Sequence, residues 1–426
     1  MRRLLRVLLI AAAAGLAGYL TWDRVELHRL DGAIADIAAR GEPVDPASLR
    51  QEPADAQQQQ AALLYADAAT RARDLVQQDG RLMRFDVDGV VGRVDLEEIE
   101  STFRKDSPPL QLLDRATPLP FAGFGHAIED DPSFSTQWLE ALSALACLRA
   151  DLLAYRGDGD AAAASLTAAV RVQRTLPAVF TQSLAANRQI GSLRILLRHA
   201  SPSAAALAAL QAAFADMPDQ DLIEHDLLLR RATMIDARQD YLVPRGIPAA
   251  AAFALHPFLV RRLRTEIEEF PEVIAASHAP WPEKIGVISA LAQTPAYNYR
   301  SPTAVVLFGP VPNMAAMSSS VTQAASRLVA RRLGLTTLAV ERYRRVHGGA
   351  PPADLPSLVP AFLPAVPVDP FSGEPLVYKP SAADYLLYSV DANRKDDGGQ
   401  IYGIGSLNPM PLPRVRDYGI RVTWKH

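Results

Sequence analysis

The chain has 426 residues, 49% hydrophobic and 21% charged, a balance that excludes a disordered protein and, at roughly 100–200 residues per domain, predicts two or three folded units. A formal charge of −3 supplies neither a basic field nor an acidic tail, so nucleic acid is excluded as an expected partner. The single cysteine, Cys147, lies in an Ala/Leu run, has no second thiol to pair with, and reads as a small buried hydrophobe.

At the start, MRRLLRVLLIAAAAGLAGYLTWDRVE sets Arg2, Arg3 and Arg6 ahead of an uncharged run of 16 residues, Val7 to Trp22. The run lengthens to about 19 if Leu4 and Leu5 are counted around a snorkelling Arg6. This predicts an N-terminal transmembrane helix, with residues 1–24 as the anchor and residues 4–22 in the membrane. The arginines place the N-terminus in the cytoplasm, and Tyr19 and Trp22 fall at the far interface. A cleaved signal peptide is the competing reading, because AAAAGLAG offers small residues at cleavage spacing. Either reading exports the remainder. Beyond Trp22, Leu27, Leu30, Ile34 and Ile37 repeat at helical spacing, so the first helix continues to about Arg40.

Pro43, Pro46 and Pro53 then mark a connection, and a second helix is predicted over 54–78. Arg84, Asp86 and Asp88 alternate with Phe85 and Val87 as in a short hairpin or a loop. From Ser135 to His199 the helical signal is strong. Leu139, Leu142, Ala146, Ala150 and Leu153 share a face, Gly157-Asp158-Gly159-Asp160 breaks it, and Leu166, Ala169 and Val170 resume it. That pattern predicts an αα-hairpin and resembles a tetratricopeptide-type unit over about 40 residues, without the further copies a solenoid needs. More helices are expected at 183–199, at 202–216 with Pro202 in the first turn, at 219–240, and at 247–276 with breaks at Pro257 and Pro271. Prolines and serines in the uncharged run from Ser301 to Ser326 argue against a second membrane span. The fold expected is mainly α: an anchor, a multi-helix domain over 25–315 built on helical hairpins, and a small α+β module over 316–426.

That module opens with a helix from about Ser318 to Gly348, striped by Val321, Ala325, Leu328, Leu335, Ala339, Tyr343 and Val346. A proline-punctuated crossing follows, then the strand-like EPLVYK and DYLLYSV, with GQIYGI and YGIRVTW as a further pair. ERYRRVHG, VDPFSGEPLVY and YSVDANRKDDGG, in that order, resemble the periplasmic part of the major pseudopilin of type II secretion systems. A similar tail ends large membrane-anchored bacterial proteins of unknown function. The chain departs from the family in two ways. Its apolar segment lies about 300 residues upstream of the pilin-like helix, and residues 1–30 lack the family's leader-cleavage pattern. A borrowed pilin-type head is therefore expected, not a polymerised pilus subunit. The resemblance also implies calcium in the loop after the YS strand, with Asn393, Asp396 and Asp397 at ligand positions and Asp391 as an extra carboxylate. Asp and Asn capping a solvated turn is the alternative. Asp369, before Pro370, reads as a turn former.

No catalytic pattern stands out. The eight histidines are scattered, no phosphate-cradling or nucleophile-elbow motif occurs, and Glu224, His225 and Asp226, being helix neighbours, diverge by about 100° each. The arginine clusters VARRLG, RYRRV and VRRLR read as solvated helix faces and not as anion sites. The expectation is a non-catalytic protein of the bacterial inner membrane, single-pass and otherwise periplasmic, that binds or assembles with other envelope proteins and has no identifiable small-molecule substrate. Two alternatives stand beside it: an exported hydrolase-like enzyme with a dispersed site between the helical and C-terminal parts, and a tetratricopeptide-like helical adaptor.

Overall fold

The structure, a computed structural model, describes residues 2–78, 108–131, 134–176, 179–217, 222–243, 248–291, 314–401 and 417–423. The alternating segment at 84–88, the first half of the uncharged run from Ser301, and residues 402–416 lie outside these. The protein is mainly helical, with one small antiparallel sheet. Two compact units form, each discontinuous in sequence: Met1–Arg50 with Ile223–Ala279 and Val287–Ser318, and Gln51–Leu222 with Pro280–Gly286 and Ser319–His426.

In the first unit, helix α1 runs without a break from Arg2 to Ala39. Its C-terminal half packs, burying Glu26, Leu30 and Ile37, whereas Val7–Ile10, Leu16 and Leu20 of its N-terminal half are 46–69% exposed. Among the described residues no helix is long and apolar enough to cross a membrane. The expected span over residues 4–22 is not supported by that measure, since Arg6 and Asp23 bound a run of only 16 residues.

The second unit is built around a central helix. After α2 (Ala56–Gln78), α3 (Pro108–Ala116) and the single turn α4 (His126–Glu129), helix α5 (Gln137–Tyr155) is enclosed by α2, α6 (Gly159–Val172) and α7 (Val179–His199). Enclosure buries Ala141, Ser143 and Ala144 along with Leu139, Leu142, Ala146 and Ala150 of the expected stripe, while Leu153 is half-buried, so the sequence of α5 is apolar nearly all round. The α5–α6 hairpin forms as predicted. Gly157 takes φ +82°, a left-handed value that suits glycine, and Asp158 caps α6 by accepting from the Ala161 N–H at 3.2 Å. Helix α8 (Ala204–Ala215) is capped by Ser203, two residues later than the expected start at Pro202. The serine hydroxyl accepts the Ala206 N–H, which a proline cannot do.

The expected helix at 219–240 is two helices, α9 (Ile223–Asp236) and α10 (Arg238–Leu242). Conversely, α11 (Ala249–Ser277) passes through both Pro257 and Pro271, where breaks are expected from sequence. Leu259, Val260, Leu263, Ile267, Phe270 and Val273 form one buried stripe along it, and that burial outweighs the bond each proline removes. The carbonyl that Pro257 cannot bond, Phe253 O, accepts the Tyr19 hydroxyl of α1 instead.

After α12 (Glu283–Leu291) comes the long helix α13 (Met314–Val346), close to the expected extent. Strands β1 (Val377–Pro380), β2 (Asp384–Ser389) and β3 (Tyr418–Thr423) pair antiparallel in the order β1-β2-β3. The predicted strand pieces at 374–379 and 384–390 therefore pair with each other, and YGIRVT adds to β2. Tyr388 opposes Gly419, where an added Cβ would come within 2.4 Å of the Leu387 carbonyl, so only glycine permits this register.

Candidate functional site

The acidic loop after β2 is held by hydrogen bonds of its own. Asp396 Oδ1 accepts both the Tyr388 hydroxyl and the Gly398 N–H at 2.8 Å. Asn393 donates Nδ2 to Asp397 Oδ2 at 2.7 Å and accepts the Lys395 N–H at 2.9 Å. Asp391 is buried with φ +52°, and its N–H donates to the Ser389 hydroxyl at 3.0 Å. One participant has no counterpart in the sequence reading. Asp417, buried just before β3, accepts the Asp397 N–H at 3.2 Å and the Gly399 N–H at 2.8 Å, and so closes the loop from 18–20 residues away. Burial pushes the Asp417 carboxyl above the usual carboxylate range, and the charges of Asp396 and Asp397 add to the effect. The one local hint of Asp417 is an aspartate directly ahead of a strand.

A hard oxygen donor set is thus present, but its members cap backbone and hydroxyl donors. Among the described residues no three His, Cys, Asp or Glu side chains gather as a metal-holding group.

Asp369 is a turn former, as expected, and a clamp as well. Its N–H and carbonyl close the loop with Glu374 O at 2.6 Å and the Gly373 N–H at 2.8 Å. Its carboxylate, 1% exposed, accepts the Phe371 N–H at 2.9 Å, the Ser389 hydroxyl at 2.8 Å and the Val390 N–H at 3.0 Å. Ser389 in turn accepts from Asp391. A relay of bonds therefore joins the DPFSGEP turn to the end of β2 and the start of the acidic loop.

A groove of about 510 Å³ lies along α8, α13 and the segment Leu363–Val368. Arg331, Arg332 and Arg342 line it, and the lining contains no carboxylate. These arginines are half-buried fasteners, a correction to the expected solvated faces. Arg331 donates to the Met217 and Ala215 carbonyls at the end of α8, Arg332 to Val368 O at 2.6 Å, and Arg342 to Gln211 Oε1 at 2.7 Å. A proline-punctuated segment cannot pair its carbonyls within regular structure, and guanidinium donors take that place.

Glu224, His225 and Asp226 diverge as expected. Glu224 faces exposed His278 at 3.3 Å, Asp226 pairs with Arg230 at 2.8 Å, and His225 is exposed. Cys147 is the buried hydrophobe anticipated, its thiol pushed up to about 12 by burial and by the neighbouring Asp151.

Asp151 was not singled out from sequence, where it is one acid in a helix. In the fold it lies buried within α5, one turn beyond Cys147. Burial raises its carboxyl to about 7, while a bond from Ser192 and the charge of Arg188, both on α7, act in the opposite direction. The folded chain therefore holds a proton that the unfolded chain releases near pH 4, so stability declines as pH rises from about 4 to about 7. Asp151→Asn is expected to flatten that decline and to stabilise the protein at pH 8, by up to about 4 kcal/mol. Urea melts of both proteins across pH 4–8 measure this; parallel profiles would refute it.

Comparison with protein-family models, with curated proteins and with solved structures finds no match to this chain.

Proposed function

We propose that the chain is a bacterial envelope protein held at a membrane by the N-terminal half of α1, with a binding or assembly role carried by the exported remainder. The observation that carries this reading is the contrast within α1: a packed C-terminal half continuous with an N-terminal half whose Val7–Ile10, Leu16 and Leu20 lie open to solvent. Val7–Trp22 spans about 24 Å as helix, and counting Leu4 and Leu5 extends it to about 28 Å, close to a hydrocarbon core of about 30 Å. Arg2, Arg3 and Arg6 orient it with the N-terminus in the cytoplasm.

The pseudopilin-like reading of the C-terminal part draws support from a long helix followed by a proline-punctuated crossing and an antiparallel sheet. The arginine-lined groove beside that crossing is the natural place for a partner, since three cations over an apolar floor favour an acidic, partly apolar segment.

Fractionation of the full chain tests the anchor. Wild type is expected in the carbonate-resistant membrane fraction. Leu9→Arg with Ala13→Arg is expected in the soluble fraction, because each arginine at the middle of a span costs roughly 2.5–3.5 kcal/mol. Wild type in the soluble fraction would overturn the reading. Calcium at the acidic loop is a separate part of the proposal, supported by the mutual repulsion of Asp396, Asp397 and Asp417, which a divalent cation relieves. Millimolar calcium is then expected to raise Tm in wild type and not in Asp396→Ala with Asp397→Ala. Equal Tm with and without calcium would make the loop a hydrogen-bonded turn and nothing more.

A further inference from the structure

The end of the first unit that carries the exposed apolar half of α1 contains more than α1. Tyr19 stacks obliquely on Phe253 with ring centroids 5.0 Å apart, and Trp22 meets Phe258 edge-on at 4.6 Å. Next to Trp22 on α1, Asp23 pairs with His256 at 2.6 Å, and about one turn further along α1 Glu26 approaches Arg264 at 3.4 Å. From Tyr19–Phe253 at one end to Glu26–Arg264 at the other the numbers increase on both helices, so α1 and α11 run parallel here and direct their N-termini the same way. Although both rings of α11 are in contact with α1, Phe253 remains 52% and Phe258 47% exposed. Large aromatic rings left open in pairs are costly in water and mark a surface with an apolar or amphipathic partner.

We infer that Tyr19, Trp22, Phe253 and Phe258 form one aromatic collar that rests in the headgroup region of a lipid bilayer, so that α11 leans on the membrane beside the point where α1 enters it. The inference rests on the anchor reading above and adds a second element to the contact. Three features favour lipid as the occupant. The collar is continuous with the bare apolar half of α1, which begins one turn away at Leu16. Phe253 and Phe258 are separated by about 7.5 Å along α11, and Tyr19 and Trp22 by about 4.5 Å along α1, so all four rings fit an interfacial layer of about 5–10 Å. Exposed Arg24 and Arg261 follow the rings by two and three residues, on the side where lipid phosphates would lie. The Tyr19 hydroxyl, bonded to the carbonyl that Pro257 leaves open, ties the two helices at this level.

The protein offers a clean labelling background, because its one cysteine is buried and its thiol is pushed up to about 12. Phe253→Cys, Phe258→Cys and, as a depth reference, Leu9→Cys would each carry the environment-sensitive fluorophore NBD. Each full chain would be reconstituted in vesicles of phosphatidylethanolamine and phosphatidylglycerol. Expected are blue-shifted emission at positions 253 and 258, quenched more strongly by a nitroxide near the headgroup than by one at the acyl terminus, with the reverse order at position 9. Water-like emission at 253 and 258 beside a quenched label at 9 would overturn the collar and leave the anchor standing. Water-like emission at all three would overturn both. A blue shift at 253 and 258 that is equally large without vesicles would show that protein, not lipid, covers the rings. Arg261→Cys, which leaves the rings intact, repeats the measurement should either phenylalanine variant misfold.

Discussion

Asp369→Ala is expected to be the most damaging single change in the C-terminal part of the chain. The substitution strips the acceptor from two backbone N–H groups and one hydroxyl at a site that is 1% exposed. Each buried donor left without a partner costs about 1–3 kcal/mol, so a total of about 3–5 kcal/mol is expected after partial relaxation. Asp369→Asn keeps one acceptor oxygen but turns an N–H₂ toward a donor, and should fall between alanine and wild type. Burial raises the Asp369 carboxyl above its ordinary range, and the bonds from Phe371, Ser389 and Val390 with the charge of Arg332 offset this only in part. The folded state therefore holds the Asp369 proton to higher pH than the unfolded chain does. Wild type then loses some stability as pH rises just above the ordinary aspartate range, and the alanine variant should not show that loss. Urea unfolding at pH 5 and pH 8 measures both effects. An alanine variant within about 1 kcal/mol of wild type would mean that water replaces the carboxylate at little cost.

The second large effect concerns Arg231 and Glu42, in the other unit. Arg231 is fully buried, and one nitrogen of its guanidinium pairs with Glu42. Its Nε and Nη2 have no partner. Glu42 is held below the usual carboxylate range: burial alone would raise it, and the bonds from Arg40 and Arg231 outweigh burial. Glu42→Gln leaves a buried charge uncompensated, a change that costs about 3–5 kcal/mol where both partners are dry. Glu42 is 29% exposed, so the lower end of that range is expected. Replacing both groups, Arg231→Met with Glu42→Gln, should recover most of the loss, because desolvating a charge is the larger cost in this pair. A double-mutant cycle by thermal and urea melts decides it, and a double variant no more stable than Glu42→Gln would refute the account.

These two sites mark where sequence reading stops. Asp369 can be read as a turn residue from the proline after it, but its partners Ser389 and Val390 lie 20 and 21 residues on. Arg231 and Glu42 are 189 residues apart, and nothing near either predicts the other. Asp417 closes the acidic loop from outside it for the same reason. The four loop residues Asp391, Asn393, Asp396 and Asp397 could be found by composition, whereas the donors each of them faces could not.

Local order was set by the chain itself. The Gly157-Asp158 turn and the helical course of α13 follow from turn chemistry and from a period of three to four residues, which act between neighbours and need no partner to be recognised. The continuity of α1 from its apolar start into its packed half is equally local. Tertiary structure decided what local rules leave open. It carried α11 through two prolines because a single buried stripe runs past both and Tyr19 satisfies the carbonyl at Pro257. It turned the arginines of α13 inward to bond carbonyls of α8 and of the proline-punctuated segment. It also brought Gln51–Leu222 and the C-terminal sheet into one compact unit. Each of these depends on which distant surface a residue meets, and burial and hydrogen-bond satisfaction at that surface exceed the propensity of any one residue.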